Sequence, residues 1–466
     1  MMLQFLVLVL IGFILYVFIA SVWPHRKDVQ ISNEHLSEIQ NRKFTRDTIG
    51  NDRASIIYDG TDALNLRMAL LEKATTSLDI VMYKIVDSES TQAFLGEVYQ
   101  AAERGVHVNV LINGLTYLAY RNRSVYRAIN AHPNITCRIY NPVNVFQPKH
   151  LQFLMHDKLI LVDDKYVIVG GRNIDERHFQ PKGFEKAAAH DLEAFVVNTK
   201  EKSNDDVIYE VNEYLEKLYR AEWTIEEKEK KDLSVIAELL SSATNYKNSN
   251  PQFYAKSLKQ FIEETVPTNK VSLIHNPVYP AKKEPILGEQ LLVLAERAQE
   301  SVKIQTPYII GNNIILEKLK KMTQHIDVRI LTNSLASSPN PFAYPNYYGY
   351  RRRIVNTGVE IYAFQNEDSL HNKSWMFDQR LLAVGTFNLD ARSLFINSEI
   401  MLVIDSTELT ESYSKQVGRV KSEALKVGSN NNYIKNSSTK PLKVPLTKRT
   451  ITWISFNLLK AIQFLL

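Results

Sequence analysis

The chain carries one pattern twice, and any fold it adopts must accommodate both copies. The first reads His156-Asp157-Lys158 with Asp163, Gly170 and Asn173 downstream; the second reads His371-Asn372-Lys373 with Asp378, Gly385 and Asn388. In each copy lysine follows histidine by two positions, aspartate by seven, glycine by fourteen and asparagine by seventeen. The surroundings repeat as well. Ser77 to Tyr83 reads as a buried strand, Thr91 to Arg104 as an amphipathic helix and Val106 to Asn113 as a second strand. Ser301 to Tyr308, Asn313 to Thr323 and Ile326 to Asn333 give the same order again. An offset of roughly 215 to 225 residues is a duplicated domain, far too long for a solenoid repeat.

The spacing has chemical content. Histidine and lysine two apart on a strand project from the same face, so an imidazole and an ammonium can meet one substrate group. The aspartate stands at an odd offset and is expected to support the strand from outside that face. The short strand Tyr166 to Val169 leads into the glycine turn, from which Asn173 can return a donor to the same spot. A single His-x-Lys-(x)4-Asp is a weak signal. Two copies with matching glycine and asparagine offsets, in equivalent places of a repeat, are not coincidence.

At 466 residues the chain exceeds what one core supports, since cores stop growing near ~250–300 residues. A hydrophobic content of 45% with 23% charged residues excludes a disordered chain. The net charge of +5 favours anionic partners only mildly, whether nucleic acid or acidic lipid. The only cysteine, Cys137 in Ile135-Thr136-Cys137-Arg138-Ile139, rules out an internal disulfide and a cysteine zinc site, and is expected to be a small buried strand residue.

Both ends look membrane-seeking. Residues 1–24 carry no charged side chain, and Leu3 to Val22 is long enough as a helix to cross a bilayer. A signal peptide is the competing reading, but there is no basic stretch before the apolar run and no small-x-small site before Trp23-Pro24. Arg26, Lys27, Arg42, Lys43 and Arg46 follow the span, so the positive-inside rule places the body in the cytoplasm. At the other end Trp453, Phe456, Leu458, Leu459, Ile462, Phe464, Leu465 and Leu466, preceded by Lys440, Lys443, Lys448 and Arg449, read as an interfacial helix with a basic collar. Docking of that helix on the domain surface is the alternative.

The paired motifs resemble those of the phospholipase D superfamily, the HKD enzymes, over most of residues 50–425. Gly170-Gly171-Arg172-Asn173-Ile174-Asp175-Glu176, Leu331-Thr332-Asn333-Ser334-Leu335-Ala336 and Gly385-Thr386-Phe387-Asn388-Leu389-Asp390-Ala391-Arg392-Ser393 are similar to the C type of bacterial cardiolipin synthases. The chain departs from that pattern at Asp175-Glu176-Arg177-His178, where the family often has Gly-Asp-Glu-Tyr, and at Thr386, commonly serine. The resemblance implies an α/β fold: two mixed-sheet halves flanked by helices, with one active site at their interface and an N-terminal transmembrane helix. The expected divisions are 1–24 anchor, 25–50 linker, 51–224 first half, 225–265 helical connector, 266–425 second half and 426–466 flexible tail with an amphipathic helix. Ile225 to Leu240 is expected to be a charged, solvated helix.

The resemblance further implies phosphatidyl transfer or phospholipase D hydrolysis through a covalent phosphohistidine, most simply cardiolipin synthesis from phosphatidylglycerol and a second phospholipid such as phosphatidylethanolamine, at a bacterial inner membrane. It requires no cofactor and no metal. His156 is the expected nucleophile and His371 the general acid and base, with Lys158, Lys373, Asn173 and Asn388 on the phosphate oxygens and Asp163 and Asp378 completing the motifs. Glu193 and Glu399 are the expected acids orienting the opposite histidines, and Gly170 and Gly385 the turn positions. A membrane-tethered nuclease and a hydrolytic phospholipase D effector use the same residues and stay open at this point. His150 and His178 are expected at the surface or behind the site, Arg351-Arg352-Arg353 on a solvated helix face with a lipid headgroup as the alternative, and Tyr83 and Tyr308 either in the cleft or in the core.

Overall fold

A computed structural model of the chain describes residues 1–120, 126–127, 132–181, 184–200, 206–227, 233–309, 313–342, 344–458 and 465. The first half supplies β1 (Asp52–Ile57), β2 (Ser77–Met82), β3 (His107–Asn113), β4 (Ile135–Tyr140), β5 (Lys158–Val162), β6 (Tyr166–Gly170), β7 (Ala189–His190), β8 (Glu193–Asn198) and β9 (Thr224–Glu226). After the two-residue β10 (Val266–Pro267), the second half supplies β11 (Lys270–His275), β12 (Ser301–Gln305), β13 (Asp327–Asn333), β14 (Glu360–Phe364), β15 (Ser369–Leu370), β16 (Ser374–Phe377), β17 (Leu381–Gly385), β18 (Ile400–Asp405) and β19 (Ala424–Lys426).

Among the described residues one sheet runs β10-β1-β8-β6-β5-β2-β3-β4-β9 and the other β11-β18-β17-β16-β12-β13-β14-β19. Setting β10 aside, the two orders match strand for strand. In both, two parallel pairs (β2-β3-β4 and β12-β13-β14) continue into an antiparallel meander that carries the motif strand. Parallel neighbours need crossovers, and the predicted helices supply them: Glu89–Glu103 between β2 and β3, and Asn313–Met322 between β12 and β13. Ser88 caps the first of these by accepting from the Thr91 N–H.

The sheets meet face to face across a shared core. Leu159, Leu161, Val167, Val169, Ala194 and Val196 of one pack with Val271, Leu273, Met376, Leu382, Val384 and Leu402 of the other. Burying each large aliphatic side chain is worth about 1.5–3 kcal/mol, so the halves are one folding unit held by many such contacts. Helices cover the outer faces in two further clusters. Cys137 sits buried in β4, as expected.

Three segments differ from the sequence reading. The linker contains a helix, Asn33–Asn41, capped by Ser32 and docked through polar groups: Glu284 accepts from the Ser32 N–H (2.9 Å) and meets His35 Nδ1 (2.8 Å), while Arg42 pairs with Glu210 (2.9 Å). Polar docking leaves little apolar periodicity to read. Thr224–Glu226 is the edge strand β9 and not the start of a helix; the connector helix spans Leu233–Ser249, and the charged residues 228–232 lie outside the described ones. The tail is partly ordered: Leu442 N–H donates to Gln365 (3.0 Å), and a helix forms over Leu446–Leu458. Leu459, Lys460, Ile462, Phe464 and Leu466 fall outside the described residues. The N-terminal helix, Met2–Val22, is long and apolar enough to cross a membrane and buries only Ser21 and Val22 along its length.

Candidate active site

Each motif strand takes backbone partners from the opposite half. The His156 N–H donates to the Ser398 carbonyl (3.1 Å) and the Ser398 N–H returns to Leu154 (2.9 Å). In mirror fashion the His371 N–H donates to the His190 carbonyl (2.7 Å), and β15 pairs with β7. These cross-links carry both histidines to the seam between the sheets.

There each imidazole is held by an acid of the other half. His156 Nδ1 lies 2.9 Å from Glu399 Oε2, and His371 Nδ1 lies 2.6 Å from Asp191 Oδ2. Both carboxylates are fully buried. A carboxylate accepts only, so Nδ1 carries the proton on each ring and Nε2 is the basic nitrogen, with Lys373 Nζ 3.3 Å from that of His371. The second oxygen of Glu399 accepts from Ser393 Oγ (2.7 Å) and Asn397 Nδ2 (3.3 Å). Tyr83 stacks edge-on to His156 with ring centres 5.0 Å apart, placing it in the cleft.

Lys158 and Lys373 project beside the histidines, each donating to the carbonyl of its own motif histidine. Lys373 Nζ also lies 3.0 Å from His371 Nδ1. Asn173 and Asn388 are buried, and among the described residues their amide oxygens have no partner. The two lysines act on both histidines, each imidazole feeling the ammonium of both copies.

The glycines admit close backbone approach. A Cβ on Gly170 would meet the Leu192 carbonyl at 2.5 Å, and one on Gly385 would meet the Ile400 carbonyl at 2.1 Å. The two aspartates stand elsewhere. Asp163 and Asp378 adopt positive φ at the far ends of their strands and collect backbone N–H groups: Thr75, Thr76 and Ser77 for one, Gln299, Glu300 and Ser301 for the other. They tie the turn before β2 or β12 to the motif strand and do not face the cleft.

Glu193 is also displaced from its expected role. It forms a buried pair with Arg67, with Arg172 Nη1 at 3.5 Å, and does not touch His371. Sheet register explains the shift: Gly170 faces Glu193 and Gly385 faces Met401, so the equivalent of Glu399 is the residue two before Glu193, Asp191. His178, expected at the surface or behind the site, lies behind it: a buried ring 5.3 Å from that of His371 whose Nδ1 lies 3.5 Å from Asp191 Oδ2. Sequence reading missed buried Arg392, which donates to the Gln152 carbonyl (2.6 Å) across the seam. Arg351, expected on a solvated face, is buried against Asn431, and Tyr308 is half-buried. His150 is half-buried on the first half.

The electrostatics suit an anionic ligand. Burial, reinforced by Lys158, Lys373 and Arg392, pushes His156 well below the usual histidine range, and burial with Lys373 pushes His371 down to about 4. Burial therefore favours the neutral form of both rings. Burial lowers Lys373 to about 8, with Asp191 and Glu399 opposing. Asp191, although buried, is held below the carboxylate range by His371 and Lys373. An entering phosphate would relieve the crowded cations and raise both histidines. His178, Asp191 and His371 offer ligand atoms within 4.8 Å of one another, but the Lys373 ammonium beside His371 opposes a metal cation there.

A family model described as "Cardiolipin synthase, PLD-like domain" matches residues 68–221 and 291–421, well over half of the chain. The sequence is 28% identical over 407 residues to an uncharacterized protein of Helicobacter pylori strain J99, covering 78% of this chain and 77% of that one. It is 24% identical over 391 residues to cardiolipin synthase C of Escherichia coli K12, covering 76% and 82%. The fold is similar to that of phosphatidylserine synthase from Haemophilus influenzae Rd KW20, with a TM-score of 0.63 and 14% identity over 94% of this chain and 100% of that one. With two matched half-folds joined around one pair of histidines, the chain belongs to the cardiolipin synthase, phospholipase D-like domain family.

Proposed function

We propose that this protein is a membrane-bound phosphatidyltransferase that makes cardiolipin from phosphatidylglycerol and a second phospholipid. The observation that carries the reading is the pair of acid-held imidazoles, His156–Glu399 and His371–Asp191, brought to the seam between the sheets with Lys158 and Lys373 beside them. The apolar helix Met2–Val22 and the names of the relatives support a lipid as the bearer of the phosphodiester, and the body of the protein is taken to face the cytoplasm.

In the first step His156 Nε2 attacks phosphorus and the bond to the leaving alcohol breaks; protonated His371 gives its proton to that alcohol. In the second, the acceptor hydroxyl returns a proton to His371 while its oxygen attacks phosphorus and the phosphorus–nitrogen bond breaks. Glu399 and Asp191 fix the rings with Nδ1–H inward, and Asp191 stabilises the imidazolium that His371 becomes. Lys158, Lys373, Asn173 and Asn388 bind the non-bridging oxygens as charge builds on them.

The test is purified full-length protein in phosphatidylglycerol vesicles, with and without phosphatidylethanolamine, in chelator, followed by lipid mass spectrometry. Cardiolipin with release of glycerol or ethanolamine is expected. Vesicles that yield neither cardiolipin nor phosphatidic acid overturn the reading.

A further inference from the structure

A cavity of about 520 Å³ lies between the helix Tyr344–Val355, the turn at Asn431–Tyr433 and the C-terminal helix Leu446–Leu458. Its size falls within the ~300–1,000 Å³ range of small-molecule sites. The walls are Leu335, Tyr344, Tyr348, Tyr433, Trp453 and Phe456, with Arg449 also bordering it. The remaining cation, Arg351, is occupied: it donates to Asn431 and stacks over Tyr348 at 4.9 Å and Tyr433 at 5.4 Å. An aromatic cavity whose buried charge is already satisfied suits hydrocarbon, not a polar metabolite.

Position narrows the occupant. The cavity adjoins the chemistry, because Leu335 is two residues beyond Asn333, whose side chain accepts from the Leu370 N–H (2.9 Å) and donates to the Leu370 carbonyl (2.7 Å), just before His371. A run of contacts links its outer wall to the loop against the membrane helix. Lys448 pins the C-terminal helix to the Ser338 carbonyl (3.1 Å), and the Leu465 carbonyl, farther along the same segment, accepts from Arg392 (3.2 Å). Arg392 holds Gln152, in the loop whose Phe146 ring lies 6.4 Å from that of Phe13 in the N-terminal helix. At its mouth Trp453 is 70% exposed and Phe456 is exposed as well, while Asn432 and Arg449 belong to the polar part of the lining. Exposed Trp453, Ile454 and Phe456 on a helix that also carries Lys448 and Arg449 suit contact with a bilayer of anionic lipid.

We infer that the cavity holds one hydrocarbon chain of a bilayer phospholipid, drawn in from the membrane while the headgroup reaches toward the His156/His371 cleft. This deepens the proposed function and takes from it only that the substrate is a lipid. The C-terminal helix is then a wall of the substrate site as well as an interfacial element. Substrate would enter sideways from the bilayer.

The experiment uses full-length protein in vesicles of phosphatidylglycerol doped with phosphatidylglycerol bearing a diazirine at the end of one acyl chain. After irradiation, labelled peptides are mapped by mass spectrometry. Label on residues 344–348 and 452–456, in addition to the N-terminal helix, is expected; label confined to the N-terminal helix overturns the inference. Filling the cavity with Thr452→Trp is expected to cut the label on 344–348 at least fivefold and to lower turnover of long-chain relative to six-carbon-chain phosphatidylglycerol about tenfold. Labelling that ignores Thr452→Trp in a variant with the wild-type thermal transition also overturns it. Labelling does not depend on turnover, so a labelled cavity in a protein that converts no lipid sustains the site and sinks the proposed reaction instead.

Discussion

The two halves share a strand order, a motif and a mode of holding histidine, yet the shells behind the two imidazoles differ. Behind His156, Glu399 spreads its charge over Ser393 and Asn397. Behind His371, Asp191 has a second imidazole, His178, within 3.5 Å. The residue between histidine and lysine differs too: Asp157 accepts from Tyr214 (2.6 Å) and Ser398 (2.8 Å), whereas Asn372 donates to Gln305 (2.7 Å). The tyrosines behind them correspond, since Tyr214 packs on His275 of β11 and Tyr413 stacks on Tyr58 just after β1. Symmetry is therefore kept where both halves must touch one phosphorus and is lost one layer out. The difference supports unlike roles for the two histidines: neutral Glu-linked His156 as nucleophile, and His371 as the ring that cycles its proton beside a strongly ionised Asp191.

The largest expected effect treats the halves alike. His156→Asn and His371→Asn each lower lipid turnover by about 10²–10⁴-fold, the range for losing a nucleophile or proton-transfer group; a half that tolerates its substitution would break the symmetry of the site. Arg67→Met separates the halves, because it leaves buried Glu193 with only the more distant Arg172 (3.5 Å), a pairing with no counterpart on the other side. A loss of ~3–5 kcal/mol of stability is expected, read as a lowered Tm. Glu399→Gln and Asp191→Asn keep the shape of the acids and remove their charge. Each is expected to cost roughly 10–100-fold in kcat with little change in KM, and Asp191→Asn the more, since His371 must carry positive charge during the cycle. Smallest and again symmetric, Asp163→Ala and Asp378→Ala each remove a backbone-capping carboxylate from a partly exposed turn. Each is expected to lower stability by about 1–2 kcal/mol with turnover per folded molecule unchanged, as measured by denaturant titration beside the lipid assay.

The duplication, the strand-helix-strand units and the converging histidines and lysines were legible because they depend on period and spacing, which a sequence displays directly. Strand parity even removed Asp163 and Asp378 from the reacting face. What spacing did not reveal depended on register between strands distant in the chain. Glu193 and Asp191 are two residues apart, and only the pairing of Gly170 with Glu193 decides that Asp191 meets His371 while Glu193 turns to Arg67. For His178 the choice between surface and a place behind the site stayed open, because a short helix at Glu176–Phe179 buries it beside a residue nearly two hundred positions away. The helix Asn33–Asn41 was hidden for a related reason: it docks through Glu284 and Glu210, partners far along the chain.

The central claim is that both halves build one site in which His156 carries the phosphatidyl group. The most direct measurement is acid-avoiding quench of the protein during turnover of phosphatidylglycerol, followed by peptide mass spectrometry under conditions that preserve phosphohistidine. A phosphatidyl adduct on His156, absent from His156→Asn and slower to discharge in His371→Asn, is the predicted result. An adduct on His371, or rapid turnover with no adduct on either ring, would contradict the account.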